Sequence, residues 1–254
     1  MNSLLSIKDL TISIKNKELM HGVSFDVNEG EAVLLSGANG IGKSTLIKSI
    51  LHLESEGKKI SGEIWVRDFG NVLTMPDTEI QRLRSKVAYI QQKDDYSEMG
   101  SVQVRDIFSE CNEANSNRTL SYSEVNDLID FWLPRREDNT RVFDAKSKPA
   151  KFSGGEQRLL SALSVIATRA QAELMIIDEP LNNLDFINAR NISNLLNRVR
   201  IENPRMGLLM VSHCRIFPFI TREVQLAQDG AVTLPNHYEC HSCFGEHDAD
   251  GFYH

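Results

Sequence analysis

The stretch GANGIGKST, residues 37–45, constrains the fold most strongly, because it joins an apolar run to a helical pattern without a gap. The run EAVLLSG (31–37) predicts a buried strand, and KSTLIKSILHL (43–53) carries its apolar residues on one broad helical face. Glycines between these elements let backbone amides converge on phosphate oxygens. The pattern G-x-x-x-x-G-K-[ST] therefore predicts a strand, a phosphate-binding loop and a helix whose N-terminus points at the anion.

The side chains around the loop glycines supply a charge and a metal ligand. Lys43 is placed to contact the β- and γ-phosphates, and Ser44 offers its hydroxyl to Mg²⁺. Gly37, Gly40 and Gly42 leave room for the phosphate oxygens. We therefore expect a nucleotide site, the alternative being a chance glycine-rich turn.

The stretch LMIIDEP, residues 174–180, supplies two acidic side chains at the end of an apolar run. A carboxylate at the end of a buried strand is costly unless it faces a metal or a cleft, so Asp178 is expected to hold Mg²⁺ through water. Glu179 is then placed to polarise an attacking water. This pair favours hydrolysis over phosphoryl transfer to a held substrate, whereas the alternative is a strand end with two solvated acids.

The remaining patterns alternate between strand and helix, which predicts an α/β fold with a parallel sheet. Residues 5–27 alternate apolar and polar side chains and predict antiparallel strands near an edge. Segment 93–150 is polar and predicts an inserted helical subdomain. Further strands are predicted at 61–66, 85–92, 173–180 and 206–213, and helices at 101–111, 121–132, 156–170 and 186–202.

Composition narrows the class of protein. The net charge of −7 argues mildly against a surface for nucleic acid. Apolar runs such as 208–211 are too short to cross a bilayer, and residues 1–30 carry no signal-peptide pattern. The four cysteines form no disulfide framework, so we expect a protein of the reducing cytosol.

The stretch KFSGGEQRLL, residues 151–160, places a serine and two glycines at the start of another helical pattern. Small residues at a helix start are typical of a backbone that contacts an anion. The sequence does not by itself say which molecule carries that anion.

Taken in order, these motifs resemble the ATP-binding cassette (ABC) ATPases over roughly residues 5–234. The resemblance implies a P-loop core with a mixed sheet, an N-terminal antiparallel β subdomain and an inserted α-helical subdomain. It implies an ABC ATPase domain at 1–236, with a core of 1–92 and 151–236, a helical subdomain of 93–150, and a tail of 237–254. The motifs are GANGIGKST, VAYIQQ (87–92), SVQVRDIF (101–108), FSGGEQ (152–157), IIDEP (176–180), NNLD (182–185) and VSH (211–213).

The resemblance also implies roles for single residues. Asn39 and Thr45 belong to the phosphate loop, and Gln92 would sense the γ-phosphate and Mg²⁺. His213 would donate to a γ-phosphate oxygen, and Asp185 would lie in a dimer contact. The alternatives are that Gln92 is a polar residue at a sheet edge, that His213 is a core histidine, and that Asp185 caps a helix starting near residue 186.

In this family the signature motif faces ATP bound to a second cassette. Ser153, Gly154, Gly155 and Glu156 would therefore complete the site of a partner, in a homodimer or heterodimer that sandwiches two ATP molecules. The resemblance implies a magnesium-dependent ATP hydrolase that powers separate transmembrane subunits from the cytoplasmic face of a membrane.

Two departures leave alternatives open. The stretch EQRLL (156–160) is nearer to the SMC and RecF type of soluble ABC ATPase, which acts on nucleic acid or within a protein assembly. Nucleic acid is nevertheless not the partner we expect, and a switch without turnover is disfavoured by Glu179 and His213. The strand expected to stack on adenine offers Ile12 and Ile14 and no aromatic residue, so the preference for ATP over GTP is implied by resemblance only.

The C-terminal tail, residues 237–254, carries a pattern that the family core does not explain. Cys240 and Cys243 form a C-x-x-C pair, and His237 and His247 lie nearby. Two thiolates and two imidazoles are reasonable Zn²⁺ ligands. The alternatives are a disordered acidic tail, a docking segment and an incidental pair of thiols.

Overall fold

The computed structural model describes residues 3–15, 17–53, 57–92, 96–136, 138–181, 184–212, 217–227 and 229–234. The strands are β1 (Ser3–Ile14), β2 (Lys17–Asn28), β3 (Ala32–Gly37), β4 (Lys58–Val66), β5 (Gly70–Asn71), β6 (Ala88–Ile90), β7 (Leu174–Asp178), β8 (Gly207–Val211), β9 (Arg222–Ala227) and β10 (Gly230–Leu234). The helices are α1 (Lys43–Ile50), α2 (Asp77–Lys86), α3 (Val104–Ser116), α4 (Tyr122–Trp132), α5 (Gly154–Thr168) and α6 (Phe186–Glu202).

Two sheets organise the chain. The antiparallel sheet has the order β2-β1-β4-β5, and the second sheet has the order β10-β9-β3-β8-β7-β6. In the second sheet the neighbours from β9 to β6 run parallel, and β10 pairs antiparallel with β9. This is the mixed sheet with an antiparallel β subdomain that the sequence predicts, so the predicted fold class is confirmed.

The mixed sheet is buried on both of its faces. In β7, Met175 and Ile177 pack into a core with residues of α3 to α6, whereas Leu174 and Ile176 pack into a second core with the antiparallel sheet and α1. Every residue of β7 and β8 is buried. A strand that is covered on both faces needs apolar side chains at successive positions, which explains the unbroken apolar runs of the sequence.

The two helices of segment 93–150 lie against the first of these cores. Phe108 of α3 and Val125 of α4 are fully buried in the same cluster as Leu160 and Leu163 of α5. The division of the chain into a core and a helical subdomain remains a prediction.

Most predicted elements occur in the structure, and α6 has the predicted bounds of 186–202. The predicted strand 85–92 is shorter, because Ser85 and Lys86 end helix α2 and only Ala88–Ile90 pairs with β7. Helix α2 follows Pro76, has acidic residues in its first turn and basic residues in its last, and buries only Ile80 and Leu83. Its charge pattern suits the helix dipole, but such a narrow apolar face gives a weak periodic signal.

No helix in the part of the chain that the structure describes is long and apolar enough to cross a membrane.

We expect the Leu209→Ala substitution in β8 to lower the free energy of unfolding by about 2–5 kcal/mol, because Leu209 is fully buried and truncation leaves a cavity. Urea denaturation followed by circular dichroism measures this change. The control is Ile201→Ala on α6, where the side chain is 70% exposed and the expected change is within about 0.5 kcal/mol. Equal effects of the two substitutions would contradict the assignment of β8 to the core.

Candidate active site

The loop between β3 and α1 needs glycine for its backbone path. Gly37 has a φ of 138°, and a Cβ atom there would lie 2.8 Å from the carbonyl oxygen of Leu226 in β9. Gly42 precedes the first turn of α1 with a φ of 103°, a left-handed conformation that side chains oppose. Asn39 and Gly40 lie exposed at the tip, and Thr45 lies half-buried in the first turn of α1.

Lys43 lies within this loop and is almost fully buried. Its Nζ donates hydrogen bonds to the carbonyl oxygens of Gly37 at 2.8 Å and of Ala38 at 3.2 Å. Burial lowers the pKa of Lys43, and the carboxylates of Glu179 and Asp178 act in the opposite direction. The loop thus holds a desolvated cation that would gain from a phosphate as a further partner.

Asp178 ends β7 with only 1% of its surface exposed. Burial raises the pKa of this carboxyl, and a hydrogen bond from Ser44 is the chief opposing influence. The Ser44 hydroxyl donates to Oδ1 of Asp178 at 3.1 Å. A carboxylate and a hydroxyl are hard oxygen donors of the kind that Mg²⁺ prefers. Because the carboxylate of Asp178 is buried, a nearby cation would stabilise its charge. The donor set therefore fits Mg²⁺.

Glu179 and Gln92 meet at the same edge of the mixed sheet. Nε2 of Gln92 donates to Oε2 of Glu179 at 2.8 Å. Glu179 has a φ of 49°, and its backbone N–H donates to the carbonyl oxygen of Val211, the last residue of β8, at 2.8 Å. A non-glycine residue in the left-handed region is strained and persists only when its surroundings hold it there.

The structure thus brings together Lys43, Ser44, Gln92, Asp178 and Glu179 where parallel strands end. This edge is where open α/β sheets bind their ligands. The roles assigned to these residues from the sequence remain predictions.

The predicted signature residues form a separate group at the start of α5. Ser153 and Glu156 make a capping box, in which Oγ of Ser153 accepts from the N–H of Glu156 at 3.2 Å and the Glu156 carboxylate accepts from the N–H of Ser153 at 2.9 Å. Gly154 has open space around it. Among the described residues, no hydrogen bond joins residues 153–156 to the phosphate loop.

Asp185 lies beside the signature group and caps α6. Its Oδ1 accepts from the N–H of Asn188 at 2.9 Å, and this bond lowers the pKa of Asp185. The Asn188 side-chain amide also donates to Asp185, at 2.7 Å, and a Cβ atom at Gly155 would collide with that amide. Gly155 is therefore needed for the close approach of α5 and α6, a reason that is independent of any anion.

Other predicted residues lie outside the described residues or in a different place. His213 and the proposed zinc ligands His237, Cys240, Cys243 and His247 are outside them. Ile12, which the strand expected to stack on adenine offers in place of an aromatic residue, is fully buried in the core beneath the antiparallel sheet. Its side chain points into the core and is therefore not available to a nucleotide.

Two arginine contacts in this region were not predicted. Nη1 of Arg158 donates to the backbone carbonyl oxygen of Glu179 at 3.0 Å. Nη2 of Arg136 lies 3.6 Å from Oε1 of Glu156, an ion pair that is partly exposed and so of small energetic weight. Both contacts depend on how α5 lies against its neighbours, and the only signal in the sequence was the unusual position of Arg158 within EQRLL.

Comparison with known proteins decides the family. The family model described as ABC transporter matches residues 20–182. The chain belongs to the ABC transporter family.

Two relatives of this ABC cassette are 28% and 31% identical to it over the aligned residues. A lipoprotein-releasing system ATP-binding protein LolD from Bdellovibrio bacteriovorus is 28% identical over 236 residues, which cover 88% of this chain and 95% of the relative. An energy-coupling factor transporter ATP-binding protein EcfA2 from Clostridioides difficile is 31% identical over 191 residues, covering 75% of this chain and 62% of that relative.

Solved structures agree with the fold. The ATP-binding subunit of an ABC transporter is 25% identical, with a TM-score of 0.68 and coverage of 91% of this chain and 90% of that structure. A dimeric post-hydrolysis state of the ATP-binding cassette MJ0796 bound to ADP and Pi has a TM-score of 0.70 at 19% identity, covering 92% and 100%. The latter likeness concerns the fold alone. As a member of this family, the chain is an ATP-binding and ATP-hydrolysing cassette that powers a membrane transporter.

We expect Asp178→Asn to raise the melting temperature of the nucleotide-free cassette by about 2–4 °C, equivalent to roughly 1 kcal/mol. Asparagine can keep the hydrogen bond from Ser44, and it removes the negative charge of a buried carboxyl group whose pKa is raised by burial. The folded chain binds more protons at this site than the unfolded chain, so the carboxylate destabilises the fold increasingly as the pH rises from about 4 through the raised pKa.

Thermal melting in EDTA, repeated from about pH 5 to 8, measures this effect. The control is Asp185→Asn, which replaces an exposed acid by another good helix cap and should leave the melting temperature nearly unchanged. Addition of Mg²⁺ and ATP should stabilise the wild type more than the Asp178→Asn variant. A lower melting temperature for Asp178→Asn would contradict the view that its burial is costly.

Proposed function

We propose that two cassettes close around two ATP molecules, so that each site combines the phosphate loop of one chain with the signature group of the other. The observation that carries this proposal is the separation of the two groups. Lys43 and Ser44 gather with Asp178 and Glu179 at the sheet edge, whereas Ser153 and Gly154 lie exposed at the start of α5. The second chain is either another copy or a related cassette.

In this proposal the phosphate loop binds the ATP phosphates. The backbone amides of residues 37–45 and the Lys43 ammonium would take the negative charge of the β- and γ-phosphates, and the N-terminus of α1 adds a positive dipole. Asn39 and Thr45 would contribute polar groups at the rim and in the first turn. Ser44 and Asp178, with Gln92 close by, would hold Mg²⁺, which when bound neutralises charge on the phosphates.

Glu179 would orient and polarise the attacking water as general base. Its carboxylate accepts a hydrogen bond from Gln92 at 2.8 Å, which fixes its direction beside the phosphate loop. His213 would donate to the γ-phosphate, a role that is based on its position in the VSH motif alone.

From the partner, Ser153, Gly154, Gly155 and Glu156 would face the γ-phosphate at the start of α5. The N-terminal amides of that helix and the open space around Gly154 suit an anion. Asp185, which caps α6 nearby, would lie in the contact between the two chains.

Separate transmembrane subunits are the proposed partners, with the cassette held at the cytoplasmic face of a membrane. The named relatives belong to a lipoprotein-releasing system and to energy-coupling factor transporters. We expect the membrane subunits to contact the chain near Gln92 and residues 93–111. Co-purification of a multi-span protein from membranes supports this arrangement, whereas ATPase activity stimulated by DNA would favour the soluble alternative.

Zinc binding by the C-terminal tail stays a separate hypothesis drawn from the sequence. His237, Cys240, Cys243 and His247 would be its ligands. The zinc content of the dialysed protein tests it, and the absence of near-stoichiometric zinc would end it.

We expect the Glu179→Gln variant to form a stable dimer in Mg²⁺ and ATP and to hydrolyse ATP about 10²–10⁴-fold more slowly than the wild type. Glutamine keeps the size of the side chain and its contact with Gln92 but cannot accept a proton. Size-exclusion chromatography with light scattering measures the dimer. The double variant Lys43→Ala/Glu179→Gln serves as control and should stay monomeric, because it lacks the phosphate-binding cation. A monomer of Glu179→Gln that retains bound ATP would refute the proposed mechanism.

A further inference from the structure

Arg158 joins the signature helix of a chain to the candidate base of the same chain. Nη1 of Arg158 on α5 donates to the backbone carbonyl oxygen of Glu179 at 3.0 Å. We propose that Arg158 is a positioning residue, which sets the backbone of Glu179 and links hydrolysis at one ATP to the presence of the other. The inference rests on the proposed function, because it needs Ser153 to contact the ATP of the partner.

The backbone conformation of Glu179 has to be stabilised by contacts with other residues. Its φ of 49° is a left-handed conformation that a residue with a side chain does not hold by preference. Among the described residues, contacts from separate parts of the fold hold this residue. Val211 of β8 accepts from its N–H at 2.8 Å, Gln92 after β6 donates to its carboxylate at 2.8 Å, and Arg158 of α5 donates to its carbonyl.

Of these three supports, Arg158 is the one that can report on the partner. It lies five positions after Ser153, which is roughly 7–8 Å along the helix axis. The helix is packed on both sides of Arg158, since Gln157 before it and Leu159 and Leu160 after it are buried. A shift of the start of α5 therefore moves the Arg158 guanidinium and, through it, the peptide of Glu179.

Arginine suits this position for a geometric reason. Its guanidinium is a rigid fork of N–H donors that can hold a carbonyl oxygen at a fixed direction, whereas a lysine ammonium on a flexible stem fixes direction less well. Arg158 is half-buried, so its bond to Glu179 is partly shielded from competition by water.

The arrangement has a consequence for the dimer. Each α5 would contact the ATP of the partner at its start and the base of its own chain through Arg158. In a dimer of two copies each chain carries the same link, so each site would respond to the ATP bound at the other. Hydrolysis should therefore depend cooperatively on the concentration of ATP, and loss of Arg158 should weaken that dependence.

The test compares three variants of the full chain by steady-state ATP hydrolysis. Arg158→Met keeps the aliphatic stem and removes the donor, Arg158→Lys keeps a donor with poorer direction, and Arg169→Met is the control. Arg169 lies just beyond the other end of α5 and donates at 2.8 and 2.9 Å to the backbone carbonyls of Arg84 and Val87. The control therefore loses bonds of the same kind away from Glu179.

We expect Arg158→Met to lower kcat by about 10–100-fold, the scale of a small misplacement of a catalytic group, with KM within about twofold of the wild type. Its Hill coefficient should fall toward one, and Arg158→Lys should recover part of kcat. Arg169→Met should lower the melting temperature and leave kcat within about twofold, since it lies outside the site.

A second measurement separates positioning from general damage. In the Glu179→Gln background, Arg158→Met should slow single-turnover hydrolysis no further, because the base through which it acts is already absent. An unchanged kcat in Arg158→Met, or a full additional loss in the Glu179→Gln background, would overturn the inference. If Arg158→Met does not fold, a wild-type kcat in Arg158→Lys overturns it instead.

The failure of the proposed function gives a different result. A folded wild-type chain that hydrolyses no ATP would overturn the proposed function and this inference together. Normal hydrolysis in both the wild type and Arg158→Met would overturn the inference alone.

Discussion

The active site depends on the burial of the mixed sheet on both faces. Because successive residues of β7 and β8 pack into opposite cores, the backbone positions at the ends of these strands are fixed with little freedom. Asp178 and Glu179 follow directly from the last apolar residue of β7, and the N–H of Glu179 is tied to the end of β8. The packing of the two cores therefore determines where the charged groups at the strand ends lie.

This construction places charge where it is costly. Burial acts against the ionised forms of both Lys43 and Asp178, raising the pKa of the acid and lowering that of the base. Hydrogen bonds partly offset this cost. Lys43 donates to the loop carbonyls, and Asp178 accepts from the Ser44 hydroxyl. In the proposed function, Mg²⁺ would bring positive charge to Asp178 and the ATP phosphates would bring negative charge to Lys43, so binding would offset the free-energy cost of burying these two groups.

The sequence was a good guide where one local rule decides the outcome. The succession of β3, glycine loop and α1 follows from the glycine positions, and the bounds of α6 follow from Asp185 as a cap and from a long periodic pattern. Helix α2 was missed because it buries only two of its residues, and the inward direction of Ile12 depends on the register of β1 with β2, which the sequence alone does not give. The contact of Arg158 with Glu179 joins positions that no local pattern relates.

Residues of the signature stretch have structural roles in addition to their proposed role in binding. Ser153 and Glu156 satisfy each other as a capping box, and Gly155 admits Asn188 of α6, so three residues of the motif already have structural reasons to be what they are. Gly154 is exposed and has open space around it, and the described residues give no such structural reason for it. A helix whose first turn is fixed by its own capping box presents its remaining N–H groups in a defined direction before any ligand is bound. The structural and the binding roles of Ser153–Glu156 are thus compatible, since the cap supplies the preorganisation that an anion site on the partner requires.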